Sequence, residues 1–175
     1  RNIEKDIAKK IADGKIIGWF QGKTEVGARA LGNRSILANP IIKNMKNRLN
    51  DEVKHRESWR PFCPSVNDYK YQEYFGEVLH SDFMNLAFKF KKKYRNIFPS
   101  AVHVDGTARP QIVRKKTNKK FYNLIKEFEK ITGHAILINT SFNIQGEPIV
   151  NTPPEAIRCF FGTGIDYLAI GNYLI

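Results

Sequence analysis

Cysteine is scarce in this chain of 175 residues, which carries only Cys63 and Cys159. Two thiols are too few for a disulfide framework or a zinc site; they fit a reduced, cytoplasmic setting, and no protein-held metal is expected. Long apolar runs are missing, so no membrane span is expected, and no secretory signal pattern is present. The phosphate-loop spacing GxxxxGK[ST] and the dinucleotide spacing GxGxxG are both absent. No Ser, Cys or carboxylate is spaced to form a triad with His55 or His103, which argues against a covalent nucleophile. His80 and His134 read as loop and helix-end residues. Repeats, low-complexity tracts and linkers are lacking, and the length suits one domain around one substantial core.

Acidic residues are few: 17 Asp and Glu against 29 Lys and Arg leave a net charge of +12. Such an excess serves either nucleic acid or a pocket for small polyanions. The lysines at 91–93, 115–116 and 119–120 read as solvated runs, with only Tyr94 as an aromatic neighbour. The arginines lie elsewhere. Arg29, Arg34, Arg56, Arg60 and Arg109 all fall inside motif-like segments, a placement that favours a pocket over nucleic acid.

Three segments stand out. In ILINTSFNIQGEPIVNTPP, at 136–154, an apolar strand runs into Asn139, Thr140, Ser141 and Asn143. Polar groups just past the carboxyl end of a buried strand make ligand sites in open α/β sheets, although Asn, Ser and Gly also serve plain turns. In QGKTEVGARALGNRS, at 21–35, three glycines alternate with Lys23, Arg29 and Arg34. Glycine admits close approach of backbone N–H groups to an anion, and guanidinium groups grip phosphate or carboxylate with two donors. In VKHRESWRPFCP, at 53–64, Lys54, His55, Arg56 and Arg60 crowd a turn stiffened by Pro61 and Pro64. An anionic ligand would relieve their mutual repulsion, while Lys54 also suits the end of a preceding helix dipole.

Periodicity predicts helices at 2–13, 44–53 and 118–132, the last with Phe121, Leu124, Ile125, Phe128 and Ile131 on one stripe and Gly133 as its stop. A further helix from Thr152 to Phe161 starts with a capping box, and Phe160 and Phe161 read as packed against its core face. Strands are predicted at 15–20, 35–38, 83–90, 101–104, 135–138 and 167–170. Trp19 and Phe20 read as core. Asp105 fits the turn Asp105-Gly106-Thr107, or a role orienting Arg109 or a nucleotide-borne magnesium ion. The alternation implies an α/β fold, a single twisted mixed sheet flanked by helices.

The segments GWFQGKTEVGARALGNRSILANP, VKHRESWRPFCPSV, VDGTARPQIV and INTSFNIQGEPIVNTPPEAI together resemble the carboxy-terminal domain of the O-carbamoyltransferases, the family of nodulation-factor and antibiotic carbamoyltransferases. That domain is similar to the YrdC fold, whose nucleotide site uses KxR and SxN patterns. Lys54-His55-Arg56 and Ser141-Phe142-Asn143 fit them, with Arg60 as an alternative partner of Lys54. The resemblance implies that Arg29, Lys54 and Arg60 are catalytic. It implies that Arg29, Lys54, Arg56, Arg60, Thr107, Arg109, Asn139, Ser141 and Asn143 bind carbamoyl phosphate and ATP, with Mg2+ accompanying the nucleotide. It further implies one domain over 1–175, cut from a longer protein with a Kae1-like amino-terminal domain that passes the carbamoyl group to a hydroxyl. An RNA-binding or tRNA-modifying YrdC-type module is the alternative reading, and a homodimer is left open among the partners.

Overall fold

The computed structural model describes residues 2–77 and 81–175; His80 lies outside them. Nine strands, six α-helices and one π-helical segment follow one another among the described residues. Seven strands form one mixed sheet in the order β6-β3-β7-β2-β1-β8-β9. These are β1 Ile17–Phe20, β2 Arg34–Ala38, β3 Cys63–Asn67, β6 Gln111–Val113, β7 Ile136–Ser141, β8 Tyr167–Ile170 and β9 Tyr173–Leu174. The pair β4 Phe88–Lys89 and β5 Thr107–Ala108 stands apart as a small antiparallel ribbon.

Both faces of the sheet are covered, which is why its central strands are apolar without alternation. Successive strand residues point to opposite faces, so Leu37 and Leu137 enter one core while Ile36, Ala38, Ile136 and Ile138 enter the other. The first core is closed by α1 Ile3–Ala12 and α5 Lys119–Thr132, which pack on each other. Asn2 and Asn118 cap these helices through side-chain oxygens that accept from Lys5 and Phe121 N–H. Phe121, Leu124, Ile125 and Phe128 are buried as the stripe requires, but Ile131 is 52% exposed in the last turn. Gly133 then stops α5 at φ 79°. Gly32 must be glycine: a Cβ there would lie 2.2 Å from the Phe121 ring. Trp19 is buried in the same core, and its indole N–H donates to Gly32 O at 2.9 Å.

The second core is closed by α2 Met45–Arg48, a π-helical segment Leu49–Lys54, α3 Tyr71–Phe75, α4 Lys92–Arg95 and α6 Pro153–Phe161. Met45, Leu49 and Val53 face it as their spacing predicts, yet the final turn is wider than an α-helix. Widened turns of this kind recur at functional sites. Glu155 completes half of the capping box by accepting from Asn151 and Thr152 N–H at 2.7 and 2.9 Å.

Several expectations change. The segment after Arg60 is not only a turn, because Cys63–Asn67 is a central strand. Pro64 is tolerated because β6 pairs only from Ser65 onward, so one side of its backbone makes no ladder. The strand expected at 83–90 shrinks to Phe88–Lys89, and 101–104 forms turns instead of a strand. The lysines at 92–93 lie in α4. Phe161 is 75% exposed, so only Phe160 of that pair packs on the core.

Candidate functional site

Sheet register decides which loops meet. β7 is antiparallel to β2 and β3, with Ser141 opposite Ser35 and Asn139 opposite Cys63, and Gln111 of β6 lies beside Ser65. The carboxyl end of β7 therefore meets the amino ends of β2, β3 and β6. The connections entering those strands carry Arg29, Arg56 with Arg60, and Arg109. Residues scattered along the chain converge at one edge by topology alone.

At the centre sits Lys54, 4% exposed, at the last position of the π-helical segment. His55 follows with φ 49°, a left-handed turn that leaves its own ring exposed and returns Arg56 toward the sheet. Lys54 Nζ donates to Ser141 O at 2.7 Å, Asn143 O at 2.8 Å and Asn143 Oδ1 at 2.7 Å, with Ser141 Oγ at 3.3 Å. Ser141 Oγ donates to Asn143 Oδ1 at 2.6 Å, and Asn143 Nδ2 donates to Glu147 O at 2.7 Å. Burial pushes the Lys54 pKa down to about 7, and the charge of Arg56 adds to the effect. Three short acceptors need the three N–H donors of an ammonium, so the oxygen cage opposes that shift.

Two cavities flank this lysine and share Arg56 and Ser141. One, of about 220 Å³, is lined by Lys54, Arg60, Asn143 and the 144–146 turn. The other, of about 120 Å³, is lined by Arg29, Arg109, Cys63, Met84 and Asn139. Arg56 stacks on Phe62 at 4.7 Å and donates to Asn50 Oδ1 at 2.8 Å; burial and then Arg60 lower its pKa. Arg60 pairs with Glu57 at 3.0 Å. Burial pushes the Cys63 thiol up, opposed by Arg109, Arg29 and Arg56. Arg109 Nε and Asn139 Oδ1 are both buried without a hydrogen-bond partner among the described residues. Orphaned buried polar atoms are rare in folded proteins, and both belong to residues that line the same cavity.

Other residues of the quoted segments hold the frame. Arg34 donates to Gln21 O and Gly22 O at 2.8 and 3.1 Å and lies 3.6 Å over the Phe20 ring, a buried clamp for the glycine-rich loop. Glu25 Oε1 accepts from Leu31, Asn33 and Arg34 N–H at 2.7, 2.8 and 3.2 Å. Thr107 is not brought to either cavity. Its hydroxyl donates to Asp105 at 2.7 Å and lies 3.1 Å from His103 Nδ1. Asp105 is exposed, its pKa lowered by the hydroxyl and N–H of Thr107. Cys63, Met84 and Glu25 were not apparent as site or loop-holding residues from sequence; only Glu25 carries a signal, as the lone carboxylate of a basic loop. No cluster of His, Cys, Asp or Glu among the described residues is arranged to hold a metal ion.

The profile of the family described as carbamoyltransferase C-terminus matches residues 8–175. This chain belongs to that family. Nodulation protein NolNO of Sinorhizobium fredii is 46% identical over 172 residues, covering 96% of this carbamoyltransferase C-terminal domain and 25% of NolNO. The 3'-hydroxymethylcephem-O-carbamoyltransferase of Amycolatopsis lactamdurans is 34% identical over 175 residues, covering 98% of the domain and 33% of that enzyme. The domain thus spans a quarter to a third of the length of these relatives. Among solved structures, full-length HypF in the phosphate- and nucleotide-bound form aligns with a TM-score of 0.70 at 17% identity, covering 97% of the domain and 25% of HypF. The fold is YrdC-like, a seven-stranded mixed sheet flanked by helices.

Proposed function

We propose that this domain activates a carbamoyl group as carbamoyl-adenylate, using carbamoyl phosphate and ATP, for transfer to a hydroxyl by a second, Kae1-like domain of the same protein. The observation that carries the reading is the convergence of Arg29, Arg56, Arg109, Lys54 and Arg60 on two adjoining cavities at one sheet edge. In the balanced reaction water takes the phosphate of carbamoyl phosphate, leaving carbamate. A carbamate oxygen then bonds to the α-phosphorus of ATP as the bond from that phosphorus to pyrophosphate breaks. Two polyanions must approach each other, and fixed cations lower that barrier without a covalent nucleophile. Arg29, Arg56 and Arg109 hold the carbamoyl-bearing anion. Lys54 and Arg60 face the nucleotide phosphates, and Ser141 and Asn143 act by holding Lys54 in place. Mg2+ accompanying the nucleotide would supply neutralisation of its phosphate charge.

Calorimetry with ATP and with carbamoyl phosphate, beside a transfer assay on an alcohol, tests the division of labour. The expected result is that both ligands bind and that this chain carbamoylates no alcohol. Efficient transfer by this chain alone would contradict it. Steep salt-dependent RNA affinity without nucleotide binding would replace it with a nucleic-acid module.

A further inference from the structure

The arginines account for the charged end of a ligand; Asn139 bears on its other end. Asn139 is 1% exposed, and its Nδ2 donates to Ala30 O at 3.3 Å, Ser65 Oγ at 3.0 Å and Gln111 Oε1 at 3.0 Å. The polarity of this network is fixed from outside. Gln111 Nε2 donates to Leu31 O at 2.9 Å, so Gln111 turns its oxygen toward Asn139 and also accepts there from Ser65 Oγ at 2.6 Å. Turning the Asn139 amide over would set its oxygen against Ala30 O and Gln111 Oε1, both acceptors. Oδ1 is therefore held on the opposite side of the amide, buried and without a donor among the described residues.

Asn139 lines the same cavity as Arg29, Arg56 and Arg109. A cavity for a plain anion needs donors throughout. A rigid acceptor among three guanidinium groups fits a ligand that carries N–H as well as negative charge. We infer that Asn139 Oδ1 accepts an N–H from the amino group of the bound carbamoyl anion, and so selects a carbamoyl group against acyl groups without nitrogen. The inference rests on the reading that this cavity takes carbamoyl phosphate. An amino group and a methyl group differ little in size, so shape alone separates carbamoyl from acetyl weakly. A buried acceptor facing a methyl group stays desolvated and unpaired, and that penalty supplies the discrimination.

The test is titration calorimetry with carbamoyl phosphate, acetyl phosphate and inorganic phosphate on the wild-type chain and on Asn139→Ala. The wild type prefers carbamoyl over acetyl phosphate by at least about tenfold, and Asn139→Ala reduces the preference to within about threefold while inorganic phosphate still binds. Equal binding of the two acyl phosphates by the wild type overturns the inference and leaves the anion pocket standing. A preference that survives in Asn139→Ala overturns it as well. Failure of carbamoyl phosphate to bind at all overturns the functional reading and the inference with it. Should Asn139→Ala not fold, the wild-type ratio decides.

Discussion

The two adjoining cavities share Arg56 and Ser141 but treat their cations in opposite ways. On one side, the Lys54 ammonium is surrounded by protein oxygens, four of them within 3.3 Å. On the other, Arg109 Nε has no acceptor among the described residues, and Arg29 is exposed at the rim. The first cation is part of the fold and ties the π-helical segment to the end of β7. The second group leaves at least the Arg109 Nε donor unpaired among the described residues. Residues of like charge at one sheet edge thus divide into one that is held and several that hold.

Removing Lys54 breaks the comparison most severely. Lys54→Met removes the ammonium donor shared by Ser141 O, Asn143 O and Asn143 Oδ1, and should lower unfolding stability by on the order of 3 kcal/mol in urea titrations. Nucleotide binding should fall with it. Arg29→Ala should instead weaken carbamoyl phosphate binding about ten- to a hundredfold, the loss of about 1.5–3 kcal/mol for a charge-assisted bond, and leave the melting temperature nearly unchanged. The pH dependence sharpens the contrast. The folded pKa of Lys54, about 7, lies below its unfolded value, so the unfolded chain binds more protons between those two pH values. The contribution of this group to stability is present above the unfolded pKa and is lost as pH falls through about 7. Stability measured from pH 7 upward should therefore rise more steeply in the wild type than in Lys54→Met. The smallest effect belongs to Lys92→Ala, an exposed cation of α4, which should change stability by less than about 0.5 kcal/mol and leave binding unchanged.

Much of this was readable from the chain. The 3.6-residue stripe of α5, the apolar run of β7 and the caps at Asn118 and Thr152 are local signals, and the structure follows them. The convergence of Arg29, Lys54, Arg56, Arg60, Arg109, Ser141 and Asn143 was also expected, because their segments together resemble the motifs of one family's site. What escaped is set by neighbours distant in sequence. Pro61 and Pro64 allow extended or turn geometry alike, and Cys63–Asn67 becomes a strand only when β7 and β6 are laid beside it. Thr107 lies in a matching segment, yet Asp105 two residues away engages it first. The orientation of the Asn139 amide depends on Gln111 and Ser65, whose roles no spacing rule reveals. Ile131 and Phe161 obey the helical period but sit where the sheet no longer covers them.

The central claim is that fixed arginines, and not bulk positive charge, hold the reacting anions. Pyrophosphate release from ATP in the presence of carbamoyl phosphate, measured side by side for the wild type, Arg29→Ala and Lys92→Ala, tests it most directly. The account predicts near-complete loss with Arg29→Ala and an unchanged rate with Lys92→Ala. An equal fall in both would contradict it and leave net charge as the explanation.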